Sequence, residues 1–208
     1  MNSSVKIEEY ITTQTTISRR DLLKLMQQKK VFVNKKLITD LTFFVKPKVD
    51  MIEVEGRVIE FCHHYYYYKL YKPKGILSTM KDPKQRPCLG DYIHKLGKPV
   101  FPVGRLDKNT TGLIILTNDG DVSNKLMHPS FECFKTYNVI LDKPISTSLL
   151  NRLKTGLILE DGPICFSNLK IVGKSELLLT TNQGRNRIIR RSFLHLGYTV
   201  NQLHRVKI

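Results

Sequence analysis

Gly104-Arg105-Leu106-Asp107-Lys108-Asn109-Thr110-Thr111-Gly112, running straight into Leu113-Ile114-Ile115-Leu116-Thr117-Asn118-Asp119-Gly120, places one acidic side chain in a glycine-bounded turn beside an apolar strand. A rigid element next to such a turn can hold a reactive carboxylate at a fixed point. The segment is no phosphate loop, because it lacks both the Gly-x-Gly-x-x-Gly and the Gly-Lys-Ser/Thr signatures. An isolated aspartate between glycines is ordinarily a turn residue that bonds its own backbone. Its neighbours in the fold must decide whether Asp107 is more than that.

Outward from this turn, short strands alternate with helices. Tyr65 to Tyr71 fits a strand, and Lys72-Pro73-Lys74-Gly75 a turn, since Pro fixes φ and Gly permits φ above zero. Leu89 to Leu96 reads as a short helix closed by Gly97, followed by a strand at Val100 to Val103. Beyond the Asp107 turn come the strand Leu113 to Leu116, a helix around Val122 to Met127, the strand Lys135 to Leu141, and a helix from Ser146 to Thr155 ended by Gly156. Strands near Ile164 to Val172 and Leu177 to Thr181 lead to a last helix, Asn186 to Leu196, capped by Gly197. Without a regular βαβ rhythm the class is α+β. The tyrosine run 65 to 68 puts alternate rings on each face of its strand. Asn118-Asp119-Gly120-Asp121 reads as a tight turn with a helix cap, not a calcium loop.

Residues 1 to 60 read as a separate module. Ser18 caps a helix with Asp21 in its first turn, placing Leu22, Leu25 and Met26 on one face. The strand Val31-Phe32-Val33 follows, and Met51 to Phe61 forms a hairpin turning at Glu55-Gly56-Arg57. Residues 61 to 208 make the second domain.

The chain of 208 residues carries a formal net charge of +16, so its field draws in polyanions. Residues 1 to 60 hold eleven basic and eight acidic side chains, leaving 23 basic and 10 acidic for the larger part. Nucleic acid is the expected partner. No apolar run of about eighteen residues and no basic amphipathic helix with aromatic anchors is present, so a membrane partner is not expected. The N-terminus has neither a secretory nor a transit-peptide layout, and the expected location is the cytoplasm. Cys62, Cys88, Cys133 and Cys165 lie far apart without metal-ligand spacing and are expected to be small buried apolar residues. His63 and His64 have no further ligand-spaced residue near them. No metal and no cofactor is expected, and the protein is expected to act as a monomer.

An aspartate amid arginine and lysine stays ionised near neutral pH, fitting a nucleophile or a general base. Gly184-Arg185-Asn186-Arg187-Ile188-Ile189-Arg190-Arg191 supplies the partners. On a helix, Arg187, Arg190 and Arg191 share one side at i, i+3 and i+4, while Ile189, Phe193 and Leu196 form an apolar stripe. A phosphate-gripping helix would look the same, so spacing does not select the arginine that meets Asp107.

The first module resembles the ribosomal-protein-S4-like RNA-binding domain, through Ser18-Arg19-Arg20 at the helix start and Lys30-Val31-Phe32-Val33-Asn34 as the strand. In that family the basic residues at the helix start face structured RNA, which assigns Arg19 and Arg20 to substrate. Lys29 and Lys35 stand where glycines are common in that family. The seventeen positions from Gly104 to Gly120, the Lys135-Thr136-Tyr137 strand, the Lys72 to Gly75 turn and the Gly184 to Arg191 block together resemble the RsuA-type pseudouridine synthases, bacterial enzymes that isomerise uridine in ribosomal RNA. The motifs keep the family's order across nearly the whole chain.

The resemblance implies the pseudouridine-synthase fold, two subdomains on a central mixed, largely antiparallel sheet with a cleft across it. It implies ribosomal RNA as substrate, Asp107 as the catalytic aspartate, Tyr137 as the ring under the target base and Arg190 as the arginine that pairs with the aspartate. Gly104, Arg105 and Leu106 become the supporting turn, with Arg105 helping to open the RNA. Lys72, Lys74, Arg187 and Arg191 are further expected substrate contacts. Ile188 stands where the family usually has Gln and Ser192 where it usually has Met; the sequence ends at Ile208, where relatives typically continue. The rival from another class is a catalytically silent RNA-binding or ribosome-assembly factor on the same scaffold, which has no use for a carboxylate facing phosphates.

Overall fold

Helix ends and tight turns, more than strand propensity, fix where the chain changes direction. The computed structural model describes residues 4–61 and 64–208, so the expectations on Cys62, His63 and the first three residues lie outside the described residues. The chain divides into two units, Met1–Tyr68 with Tyr92–Phe101 and Leu116–Val122, and Lys69–Asp91 with Pro102–Ile115 and Ser123–Ile208.

The first unit begins with β1 (Val5–Lys6), α1 (Ile7–Gln14), α2 (Arg19–Gln27), β2 (Val31–Val33), β3 (Lys36–Leu37), β4 (Phe44–Val45), β5 (Ile52–Val54) and β6 (Arg57–Val58). Ser18 Oγ accepts the Asp21 amide at 3.1 Å, which starts α2 at the expected cap. The helix stops in a double backbone turn, with Lys29 N–H donating to Met26 O (3.0 Å) and Lys30 N–H to Leu25 O (2.9 Å). Lys29 therefore holds a left-handed backbone at φ 58°. Antiparallel strands in the order β3-β2-β5-β6 follow. Their two-residue turns, Asn34-Lys35 and Glu55-Gly56, both need φ above zero, and they show 49° and 65°, 52° and 77°. Ile7, Ile11, Leu22, Val31 and Ile52 are fully buried in the core of this module.

Within the same unit, Asn118 ties the 116–122 segment to the module. Its Nδ2 donates to Thr13 O (3.0 Å) and its Oδ1 accepts the Tyr66 amide (2.8 Å). Asp119 Oδ1 accepts the Val122 amide at 3.0 Å, the helix cap read from the sequence. Tyr67 OH donates to Asp119 Oδ2 at 2.6 Å, and that bond pushes the phenol pKa up to about 12.

Further along the chain are β7 (Tyr67–Lys72), α3 (Gly90–Ile93), β8 (Phe101–Val103), β9 (Thr111–Thr117), α4 (Gly120–Met127), β10 (Lys135–Leu141), α5 (Thr147–Thr155), β11 (Leu157–Leu159), β12 (Gly162–Ile164), β13 (Ser167–Gly173), β14 (Glu176–Thr181), α6 (Ile188–His195) and β15 (Val200–Lys207). The main sheet runs β13-β14-β10-β15-β9-β7, with β8 beside β9. The β10–β14, β10–β15 and β13–β14 pairs are antiparallel and β15–β9 is parallel, the mixed sheet of an α+β fold. Val139, Leu153, Leu177, Leu179 and Phe193 are fully buried in the core of the second unit. Each such side chain contributes about 1.5–3 kcal/mol on burial.

Three expectations need correction. The hairpin β11–β12 precedes the strand expected near Ile164, because Glu160-Asp161 supplies a two-residue turn and Gly162, just after it, takes φ 111°. The last helix begins at Ile188, not Asn186, since Arg187 sits at its N-cap with φ 47°. Of the three described cysteines, Cys88 is buried, Cys133 intermediate and Cys165 exposed.

Candidate active site

The second unit carries an open cleft of about 1330 Å³, and Asp107, Tyr137, Arg105 and Arg187 all line it. Asp107 leaves a turn whose five consecutive carbonyls, residues 106 to 110, each accept a hydrogen bond. Ser78 Oγ donates to Leu106 O (2.7 Å) and accepts the Leu106 amide (3.0 Å). Thr110 N–H closes the turn onto Asp107 O at 3.0 Å. Lys108 O accepts from Gly75 N–H (2.8 Å) and Lys72 Nζ (3.3 Å), Asn109 O from Arg190 Nη2 (3.1 Å), and Thr110 O from Lys72 Nζ (2.9 Å). Leu106 is buried in the core of the second unit, anchoring the turn from below. The carboxylate is thus carried by a backbone with little freedom left, the arrangement a preorganised site needs.

Lys72 is fully buried and its three donors go to the carbonyls of Pro73, Lys108 and Thr110. Its expected contact with substrate is therefore corrected: it is a buried tether under the turn. Burial lowers its pKa, and the negative charge of Asp107 works against that shift. Lys74, beyond it, is exposed and does not line the cleft.

Arg190 donates from Nη1 to Val200 O (2.7 Å) and from Nη2 to Asn109 O (3.1 Å). Among the described residues it makes no direct ion pair with Asp107, contrary to the expected pairing. The two still sense each other: burial first, then the charge of Arg187, disfavours the Arg190 cation, and Asp107 favours it. Its bond to Asn109 O instead makes it a second tether of the turn. Arg191 is also taken from the expected substrate face, because Asp161 accepts its Nη2 and Asn186 O its Nε (2.9 Å). Asp161 binds Arg185 Nη1 as well, at 3.0 Å. The three-arginine helical face dissolves because Arg187 precedes the helix; exposed at the cleft, Arg187 keeps its expected place there.

Tyr137 stands on β10, opposite Leu179 of β14 and Arg205 of β15. A register shift between Thr136 and Tyr137 in the β10–β15 pairing sits just before it, the kind of irregularity that re-aims a side chain. Two aspartates line the cleft. Asp82 is bound by Arg86 through Nε (3.0 Å) and Nη2 (2.8 Å), which holds its carboxyl well below the usual range. Asp107 is outside any such pair among the described residues, which leaves it the chemically free one. Of the expected RNA contacts in the first unit, Arg19 pairs with Glu8 at 3.1 Å, while Arg20 is exposed.

Ile188, standing where Gln was expected, is buried at the cleft wall, and Ser192 is fully buried with its Oγ bonded to Ile188 O (2.9 Å). Ser78, Arg205 and Lys135 were not singled out as site residues from sequence. Each lines the cleft. Ser78 lies only three residues past the Lys72 to Gly75 turn, and that proximity is the signal that could have found it. Among the described residues no group of three or more His, Cys, Asp or Glu is arranged to hold a metal ion.

The mixed sheet and its basic cleft define an enzyme of the pseudouridine-synthase fold. A family model described as RNA pseudouridylate synthase matches residues 66–195, and the chain belongs to that family. An uncharacterized RNA pseudouridine synthase of Mycobacterium leprae (strain TN) is 37% identical over 212 residues, spanning 99% of this chain and 83% of the relative. The ribosomal large subunit pseudouridine synthase B of Bacillus subtilis (strain 168) is 36% identical over 206 residues, 96% of this chain and 84% of its own. A crystal structure of a pseudouridylate synthase superposes with a TM-score of 0.66 at 28% identity, covering 97% of this chain and 87% of that one.

Proposed function

We propose that this enzyme isomerises a uridine of ribosomal RNA to pseudouridine, with Asp107 as its catalytic carboxylate. The observation that carries the assignment is the Asp107 turn: a carboxylate free of ion pairing, on a backbone bonded at five successive carbonyls, in the cleft that Tyr137 also lines. The names of the relatives, ribosomal large subunit pseudouridine synthase B among them, favour large-subunit RNA.

The reaction breaks the bond between the sugar C1′ and uracil N1, joins C1′ to C5, and moves the C5 proton away while N1 gains one. It needs neither redox change nor an energy donor. Asp107 acts as nucleophile or base, Tyr137 stacks under the base, and Arg190 fixes the turn through its bond to Asn109 O. The uridine must leave its stack to reach Asp107, at a cost of a few kcal/mol that is least at an unpaired base. Arg105 and Arg187, both exposed at the cleft, meet the RNA backbone and offset that cost. The module of residues 1 to 60 acts as an S4-like RNA-binding domain, with Arg20 and the turn lysines toward RNA. Every group invoked comes from one chain, so a monomer suffices. Among the described residues no helix is long and apolar enough to cross a membrane; the site of action we assign is the cytoplasm, where ribosomal RNA is found.

The test is to map pseudouridine in total RNA from cells with the protein, without it, and with Asp107→Ala. One or very few ribosomal sites should vanish in both deficient strains, while the purified variant still binds RNA. If wild type releases no tritium from 5-labelled uridine in any ribosomal RNA fragment, the silent RNA-binding factor replaces the enzyme.

A further inference from the structure

Arg205 is a buried cation with an unfinished set of partners. Only 3% of its surface is exposed, its Nε donates to Leu113 O at 2.7 Å, and its Nη2 is buried with no partner. Lys135, another cation of the cleft, is close enough to feel its charge, and the Lys135 Nζ donates to Cys133 O (2.9 Å) and Leu126 O (3.3 Å). Neither forms an ion pair with a carboxylate among the described residues. A guanidinium withdrawn from water without a counter-charge is costly, and such groups concentrate where a ligand completes them.

Position says what that ligand is. Arg205 and Tyr137 are partners across the β10–β15 ladder, so their side chains stand on one face of the sheet, a few ångströms apart. Arg205 lines the cleft while almost wholly buried, whereas Arg105 and Arg187, which line the same cleft, are exposed and suit the phosphates of the RNA backbone. The part of the substrate that suits so buried a donor is the extruded base. On the reading of the cleft as a uridine-isomerising site, we propose that Arg205 is a specificity-determining residue whose guanidinium donates to the C4 carbonyl of the target uracil stacked on Tyr137. Uracil presents carbonyl acceptors at both C2 and C4, whereas cytosine has a donating amino group at C4. A donor-only guanidinium therefore favours uracil. The β-strand backbone around Arg205 is held for this: Gly112 on β9 lies so close that a Cβ there would collide with the Arg205 carbonyl.

The experiment uses the full chain, labelled with nitrogen-15, titrated with uridine 5′-monophosphate and with cytidine 5′-monophosphate while the Arg205 Nε–H signal is followed. Beside it, tritium release from 5-labelled uridine in ribosomal RNA transcripts is measured for wild type, Arg205→Met and Arg205→Lys, with thermal unfolding as the check on folding. The Arg205 signal should shift with the uridine nucleotide and not with the cytidine one. Arg205→Met should lose roughly 10–100-fold in kcat/KM, the worth of a charge-assisted hydrogen bond, and keep its affinity for the transcript; Arg205→Lys should lie between the two. An Arg205 signal that responds equally to both nucleotides or to neither, or a folded Arg205→Met enzyme within about twofold of wild type, overturns the inference and leaves the isomerase reading standing. A wild type that turns over no transcript removes the isomerase reading itself.

Discussion

At the scale of single residues, the turn at Asp107 separates chemistry from support. Asp107→Asn keeps shape and removes charge, so turnover should fall by at least ~100-fold while the melting temperature stays close to wild type; tritium release and thermal unfolding read the two effects. Ser78→Ala removes both hydrogen bonds to Leu106. It should lower kcat about tenfold with little change in KM, and cost about 1–2 kcal/mol in stability, measured by denaturant titration. An unchanged kcat would show that the turn keeps its place without that hydroxyl. The turn that carries Asp107 and the strand that carries Tyr137 were legible from the sequence because both are local features, and both side chains line the cleft. Lys72 was misread because its burial comes from the distant carbonyls of Lys108 and Thr110, and a lysine beside a Pro-Lys-Gly turn looks solvated until its strand is covered.

Elements show a different kind of legibility. The caps Ser18 and Ser146 and the stops Gly97, Gly156 and Gly197 act within a few residues, and all five stand at the expected helix ends. The start of α6 could not be read the same way, because Arg187 adopts a left-handed backbone that no propensity favours for arginine. Three lysines carry similar strain in the first module, Lys29 at a helix end, Lys35 in a hairpin turn and Lys48 in the turn before β5. Lys35→Gly and Lys29→Gly should each stabilise by about 0.5–1 kcal/mol, read as an upward shift of the unfolding midpoint. In the second unit, Asp161 joins the β11–β12 hairpin to the segment before α6 through Arg185 and to α6 itself through Arg191. The hydrogen bond from Arg191 is the leading cause that holds the Asp161 carboxyl below its ordinary 3.8. Its folded pKa is depressed, so the stabilisation is present above pH 3.8 and disappears as pH falls through the lower folded value. Melting curves of wild type and Asp161→Asn should accordingly differ near neutrality and converge in acid; a gap that persists in acid would assign the effect to packing.

For the whole molecule, charge is the property the sequence states most directly, and its distribution the one it conceals. The net charge of +16 is read by counting, yet Arg185, Arg191, Arg86 and Arg19 are engaged by Asp161, Asp82 and Glu8, so counting overstates the cations free for RNA. Those pairings join residues 4 to 30 positions apart, and only folding reveals them. Binding to a ribosomal RNA fragment should still be steeply salt-dependent, weakening at least ~100-fold between about 50 and about 200 mM salt. Asp107→Ala should follow the same slope in a filter-binding assay, since it removes no cation. A flat salt response would place recognition in base contacts alone.

The strapping of the Asp107 turn has a consequence for how the enzyme can be taken apart. Its knots come from residues 72 to 78 on one side and from Arg190 on the other. The reactive oxygen pair is therefore common property of chain segments more than a hundred residues apart, and no contiguous fragment that omits either end can keep it in register. Activity should arrive last during folding, once the final helix has docked, and be the first thing lost when that helix frays.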